Sequence, residues 1–297
     1  MNILITGGTG FIGTALCKKL CQAEHNVIIL SRQPIDYWQG ATVIHTLDKE
    51  LYLDAVINLA GEPIADKRWS NQQKQQIVDS RLDVTESVIQ YLKSTSHKPK
   101  VFISGSAIGY YGIRQNDQRI NEKFLGDDSF SSNLCRRWET LAEQAEDLGI
   151  RTCLLRIGIV LGKQGGALKK MILPFKLGLG GPVSHGKQWM PWIHIDDMTS
   201  LIIYCIDHTQ IRGPINCTAP NPVTNKEFTQ QLGRALHRPT VFKMPGVLIK
   251  GLLGEMGHEL LLSGLYVVPE KAEHYNYRFQ YPELKVALKY LVGSSSH

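Results

Sequence analysis

Gly7, Gly10 and Gly13 stand at the spacing G-x-x-G-x-x-G in the segment Thr6-Gly7-Gly8-Thr9-Gly10-Phe11-Ile12-Gly13. Each glycine meets a separate steric need of a dinucleotide site. The first permits a tight strand-to-helix turn, the second lets backbone N–H groups approach a pyrophosphate, and the third lets the helix pack closely on the sheet. The phosphates then rest at a helix N-terminus, where free N–H groups and the helix dipole favour anions. The next informative residues close the second strand, Leu30-Ser31-Arg32. NAD sites place a carboxylate there to hold the ribose hydroxyls. Ser31 and Arg32 offer instead a hydroxyl donor and a guanidinium, the pair that suits a 2′-phosphate. The spacing therefore predicts NADP(H) as cofactor; the alternative is that Arg32 is a solvated loop residue.

These residues need a scaffold, and the pattern supplies one. Asn2 to Thr6 reads as a short buried strand and Phe11 to Ala23 as a helix, with Ile12, Leu16 and Leu20 along one face. Further strands are expected at Asn26 to Leu30, Thr42 to Thr46, Ala55 to Leu59, Lys100 to Ser104 and Thr152 to Ile157. Helices are expected over Ser70 to Ser94 and Ser132 to Leu148, the latter closed by Gly149. Short apolar strands alternating with helices predict an α/β, Rossmann-type, doubly wound parallel sheet. After about residue 160 the texture turns rich in glycine and proline, with helices at Met198 to Asp207 and Thr224 to Leu236. The expected division is a dinucleotide domain over 1–160, also receiving roughly 190–215, and a smaller C-terminal α+β lobe over 161–297.

Composition limits the partners. The net charge is +6, from 33 Lys and Arg against 27 Asp and Glu, and no basic run marks a nucleic-acid or membrane surface. No stretch of 18 apolar residues is present to span a bilayer. The six cysteines, at 17, 21, 135, 153, 205 and 217, form no C-x-x-C pair and mostly sit in apolar segments. Buried, reduced thiols and a cytoplasmic location follow. The expected partner is a small molecule, with no nucleic acid and no membrane, and the protein a monomer or homodimer.

Several segments in order resemble the extended short-chain dehydrogenase/reductase superfamily: Asn58-Leu59-Ala60-Gly61, Ser104-Gly105-Ser106-Ala107, Leu155-Arg156 before Gly162, and Trp192-Ile193-His194-Ile195-Asp196-Asp197. Asp79-Ser80-Arg81, Gly105 to Gly112, Leu173-Pro174-Phe175 and Tyr281-Pro282-Glu283-Leu284 are similar to the YfcH-type epimerase-like group of that superfamily, including its C-terminal extension. The resemblance implies that Gly7, Gly10, Phe11, Ile12 and Gly13 meet the pyrophosphate. It places Ser31 and Arg32 on the 2′-phosphate, Asn58, Leu59, Ala60 and Gly61 along the adenosine and ribose, and Ser104 and Val160 beside the cofactor. Arg81 is expected either on a phosphate or in an ion pair on its own helix.

Active members of the superfamily pair a Tyr and a Lys, spaced Y-x-x-x-K, with a serine; the tyrosine exchanges a proton with the substrate oxygen while hydride moves. Ser106 suits the serine role. In the helix that should carry the pair, Ser131 stands at the tyrosine position and Cys135 at the lysine position. Neither residue can do the same work, and the YfcH-type group departs in this same way. Two readings stay open. In one, an NADP(H)-dependent oxidoreductase or epimerase-like enzyme acts on a small polar substrate, sugar nucleotides included, with Tyr110, Tyr111 or Glu62 as the substitute acid and Arg136 as the substitute cation. In the other, the protein binds NADP(H) with little or no catalysis, Tyr110 and Tyr111 pack between lobes, and Ser106 only holds its loop.

The remaining candidates are weaker. His194 with Asp196 and Asp197 lacks a third convergent metal ligand, so no metal site is expected. One of the two aspartates should cap the helix near Met198. His185 and Lys187 occupy a glycine-rich loop expected at the substrate cleft, and Trp69, Trp189 and Trp192 could form an aromatic wall there.

Overall fold

Strand β1 (Asn2–Thr6) buries Ile3, Leu4 and Ile5 completely, because helices cover both faces of the sheet that it begins. The computed structural model of the chain describes residues 1–114 and 117–293. After β1 come α1 (Phe11–Gln22), β2 (Asn26–Leu30), β3 (Tyr37–Trp38), β4 (Ala41–Ile44), β5 (Ala55–Asn58), α2 (Asn71–Ser94), β6 (Val101–Ala107), β7 (Arg119–Ile120), α3 (Phe130–Glu143) and β8 (Arg151–Ile157). The second half holds β9 (Ile159–Leu161), α4 (Gly166–Lys176), β10 (Trp189–Met190), β11 (Trp192–His194), α5 (Ile195–Asp207), β12 (Gly213–Cys217), β13 (Val223–Thr224), α6 (Asn225–Leu236), α7 (Gly246–Gly257), β14 (Tyr266–Val267), α8 (Glu270–His274) and α9 (Leu284–Val292).

The main sheet runs β12-β8-β6-β5-β1-β2-β4-β3. Its neighbours are parallel except for the two-residue strand β3, which turns back on β4. The chain winds one way from β1 through β2 to β4 and then the other way through β5, β6, β8 and β12. The connections leave in opposite directions on either side of the paired strands β1 and β5, where open α/β sheets keep their ligand crevice. Alternate residues serve the two faces: Ile3, Ile5, Ile57, Ile103 and Leu155 meet α1 and α5, while Leu4, Val56, Phe102 and Leu154 meet α2 and α3. The smaller lobe has its own core, with Phe175, Trp192, Phe228, Leu232 and Leu288 at its centre. Among the described residues no helix is long and apolar enough to cross a membrane.

Three local departures matter. Strand β6 continues to Ala107, paired with Ile157, so Ser104 lies inside the sheet and Ser106 near its end. Helix α3 stops at Glu143, and Glu146–Leu148 form a separate 3₁₀ turn that Gly149 closes in the left-handed region at φ 75°. The single helix expected over Ser132 to Leu148 is therefore two pieces. Finally, α5 begins at Ile195, and its cap is His194 rather than Asp196 or Asp197.

The His194 Nδ1 accepts the Asp196 N–H at 3.1 Å. Its ring is 1 % exposed and stacks on Tyr281 at 3.8 Å between centroids. Asp197 turns inward and accepts the N–H groups of Gln280 and Tyr281, which ties the C-terminal segment to the sheet. Burial drives the His194 pKa down to about 4, against the opposing pull of Asp196. An unfolded histidine titrates near 6.5, so between these values the unfolded chain binds the extra proton. Stability should therefore fall as pH drops from about 6.5 towards 4. Thermal unfolding across that range should show the loss, and His194→Asn, which keeps a capping oxygen, should lose less; equal slopes for both proteins would refute it.

Candidate cofactor and substrate site

At the end of β1 the chain turns through Gly7, whose φ of 70° favours glycine, and Gly10 N–H bonds back to the Gly7 carbonyl at 3.0 Å. A Cβ on Gly7 would lie 2.6 Å from the Leu59 carbonyl carbon, so the β1 and β5 loops touch here. A Cβ on Gly13 would overlap the Gly7 carbonyl oxygen and lie 2.7 Å from Gly8 Cα. Helix α1 starts at Phe11 with no side-chain cap. The first-turn N–H groups of Phe11, Ile12 and Gly13 therefore remain for an outside acceptor. The Phe11 ring turns away and packs on the glycine-rich segment after β9, where a Cβ on Gly162 would come within 2.6 Å of it. Gly13→Ala forces backbone to move and should cost about 1–3 kcal/mol of stability. Denaturant unfolding measures it, and an unchanged midpoint would mean that the turn gives way freely.

Ser31 leaves the end of β2 with its N–H bonded to Ile44 O, and its Oγ accepts the Gln33 N–H at 3.1 Å. Arg32 is exposed. A hydroxyl proton and a guanidinium thus stand at the carboxyl edge beside the cradle, with no carboxylate at either position.

The β5 loop works through its backbone. Asn58 is fully buried: its Oδ1 accepts the Thr6 hydroxyl, and its Nδ2 donates to Thr85 Oγ1 at 2.7 Å. That same Thr85 oxygen accepts Trp138 Nε1–H. The Asn58 side chain is therefore spent on joining β1, β5, α2 and α3, and the chain runs on through Leu59, Ala60 and Gly61. Arg81 departs from the ion-pair expectation. Among the described residues it forms no ion pair; it donates to the carbonyls of Glu62 and Ile77 at 3.0 Å and lies over the Trp138 ring. Desolvation lowers its pKa. Arg81 braces the loop that carries Gly61 and Glu62, and its guanidinium lies against Gly61. Ser104 is fully buried within β6, and Val160 turns its side chain into the core.

Ser106 donates to Glu139 Oε1 at 2.5 Å, and Glu139 forms a buried ion pair with Arg156. Arg156 also donates to Tyr111 Oη and to the Glu122 carbonyl, and its guanidinium lies 3.4 Å above the Tyr110 ring centre. Tyr111 is fully buried and donates to Asn216 Oδ1 at 2.5 Å. Desolvation drives its pKa up. A proton held there cannot reach a substrate, so Tyr111 is a packing residue. Tyr110 is half-buried, and its hydroxyl has no partner among the described residues. Glu62 is half-buried at the neighbouring loop, its carboxylate without a hydrogen bond among those residues and its N–H on Ser80.

At the helix that lacks the Tyr/Lys pair, Ser131 donates its hydroxyl to Glu259 Oε2 at 2.5 Å, and Glu259 also accepts the N–H groups of Phe130 and Ser131. Glu259 lies in the π-turn His258–Leu262 that follows α7. The smaller lobe thereby supplies the carboxylate at this helix end, a contact across 128 residues with no local sequence signal. Cys135 is buried, and desolvation pushes its thiol up to about 11, so it carries no charge. Arg136 points outward to Asp128 and Asn133 and supplies no cation to the site. The aromatic wall does not form: Trp69 packs on Phe130, Trp192 is fully buried in the smaller lobe, and Trp189 bonds Asp117 and packs on Tyr266. His185 and Lys187 are exposed on their loop. Among the described residues no cluster could hold a metal.

An uncapped glycine turn at the switch point of a doubly wound sheet defines a dinucleotide-binding α/β protein. The chain matches the NAD dependent epimerase/dehydratase family over residues 3–217, and residues 244–291 match a domain of unknown function, DUF1731. It belongs to that epimerase/dehydratase family. It is 38% identical to the epimerase family protein YfhF of Bacillus subtilis, covering 99% of this chain and 98% of that one. It is 37% identical to the epimerase family protein SDR39U1 of Mus musculus, covering 99% and 100%. The crystal structure of human SDR39U1 (isoform 2) with NADPH superimposes with a TM-score of 0.90 at 34% identity, over 98% of this chain and 99% of that one.

Proposed function

We propose that this chain is an NADP(H)-binding, epimerase-like oxidoreductase of the YfcH-type branch, acting on a small polar substrate, with sugar nucleotides the first class to test. The observation that carries the reading is the pairing of the uncapped Gly7–Gly13 turn with Ser31 and an exposed Arg32, where no carboxylate opposes a 2′-phosphate. The solved relative that holds NADPH supports it. The six free cysteines fit a reducing, cytoplasmic setting.

The first-turn N–H groups of α1 would hold the pyrophosphate, Ser31 and Arg32 the 2′-phosphate, and Leu59 to Gly61 the ribose side. When bound, NADP(H) supplies or accepts hydride. Tyr110 is the group with a free phenolic proton at the β6 end, and we assign it the proton exchange with substrate oxygen. Ser106, its hydroxyl turned to Glu139, keeps oxygen lone pairs to accept from substrate and positions the loop. Tyr110→Phe should lower turnover by about 100-fold, the scale of one general acid. Tyr111→Phe should reduce stability more than chemistry.

One observation favours a second reading: Ser131 and Cys135 provide neither an acidic phenol nor a fixed cation. On that reading the protein binds NADP(H) and turns over slowly or not at all. A panel of nucleotide sugars with NADPH-loaded protein separates them. Turnover that Tyr110→Phe lowers by about 100-fold supports the first, and tight NADPH binding with no turnover supports the second.

A further inference from the structure

We infer that His45 is a second specificity residue of the 2′-phosphate seat, taking an extra proton when the phosphate arrives. The inference rests on the NADP(H) reading. His45 directly follows β4, whose last residue, Ile44, pairs with Leu30 at the end of β2. The Ser31 N–H bonds Ile44 O at 3.0 Å, and His45 Nδ1 lies 2.9 Å from the Ser31 carbonyl oxygen. The imidazole is therefore fixed one peptide away from Arg32, at the same corner of the sheet's carboxyl edge.

That hydrogen bond sets the chemistry. A carbonyl only accepts, so Nδ1 carries the proton, and in the neutral ring Nε2 is an acceptor. A phosphate dianion offers no proton to such an acceptor. It does attract a second proton onto the ring, which makes Nε2–H a charge-assisted donor while Nδ1–H stays on Ser31. The charged neighbours on the adjoining segments are Arg32 after β2, Asp36 before β3, and Asp48, Lys49 and Glu50 after β4. Asp36 is tied to β4 through its carbonyl, and the Asp48 carboxylate accepts the Glu50 N–H. Ser31 O–H, the Arg32 guanidinium and protonated His45 would together surround one phosphate. The His45 ring is exposed, so its replacement leaves the core intact.

The test compares the full-length protein with His45→Gln, using NADPH and NADH as probes in fluorescence titrations. The expected result is about tenfold weaker NADPH binding in the variant, the scale of one charged hydrogen bond, with NADH affinity within about twofold. Calorimetry of NADPH binding in buffers of different ionisation heat should show proton uptake by the parent that His45→Gln reduces. Equal losses for both cofactors would make His45 an adenine contact and overturn the inference, as would an unchanged NADPH affinity or unchanged proton uptake. If the parent itself binds NADPH no better than NADH, the NADP(H) reading fails with it. That failure shows in the parent alone, before any variant is compared.

Discussion

Arg32→Asp should weaken NADPH binding by about 100-fold while leaving NADH affinity unchanged or improved. Losing a charged, bidentate contact removes about 1.5–3 kcal/mol, or roughly 10- to 100-fold, and a carboxylate facing a phosphate dianion adds repulsion. Arg32 is exposed and lies two residues beyond the end of β2, so the exchange leaves no buried charge and no cavity. The same aspartate stands where NAD sites place theirs and can accept from ribose hydroxyls, so the NADPH-to-NADH preference should invert. Equilibrium titration with both cofactors measures this. An unchanged ratio would return Arg32 to the solvated-loop reading and move the 2′-phosphate elsewhere. Because exposed charges are screened, the NADPH preference of the parent should shrink as salt rises, whereas that of the aspartate variant should change in the opposite sense.

The glycine turn, the strands beside it and the Ser31–Arg32 pair are legible in sequence because they depend on neighbours a few residues apart. Steric freedom at Gly7 and the apolar rows of α1 and β1 are local properties. The catalytic side of the cleft is set differently. Nothing near Asn58 in sequence shows that Thr6 and Thr85 claim its side-chain amide, or that Trp138 shares the same threonine. Arg81 offers an ion pair on its own helix until two backbone carbonyls are seen to accept from its guanidinium. Tyr111 and Tyr110 are adjacent in sequence, yet the 3₁₀ turn Ile108–Tyr111 sends one into the core and leaves the other half-exposed. Glu259 gives no motif at all, since its meaning lies in a helix end far away in the chain. Hydrogen bonds between distant elements decide these roles, and periodicity carries no information about them.

Glu139→Gln should be among the most destabilising single changes in the chain, at about 3–5 kcal/mol, because it leaves the Arg156 guanidinium buried without its counter-charge. Side-chain exposures of 4% for Arg156 and 6% for Glu139 exclude rescue by water, and the pair is joined by two hydrogen bonds of 3.0 and 2.8 Å. For a protein of this size each kcal/mol shifts the unfolding midpoint by about 2–4 °C, so a fall of roughly 6–20 °C is expected by calorimetry. Glu139→Leu combined with Arg156→Met removes both charges and should recover most of the loss, as replacement of buried pairs by apolar residues tends to do. The double variant cannot restore the site, however. Ser106 would lose its acceptor, Tyr111 a donor and the Tyr110 ring its underlying cation, so NADPH should still bind while turnover stays low. Recovered stability with recovered turnover would show that the ion pair only fills space. Recovered stability without turnover would mean that this costly buried charge is kept to hold Ser106 and Tyr110 at the end of β6.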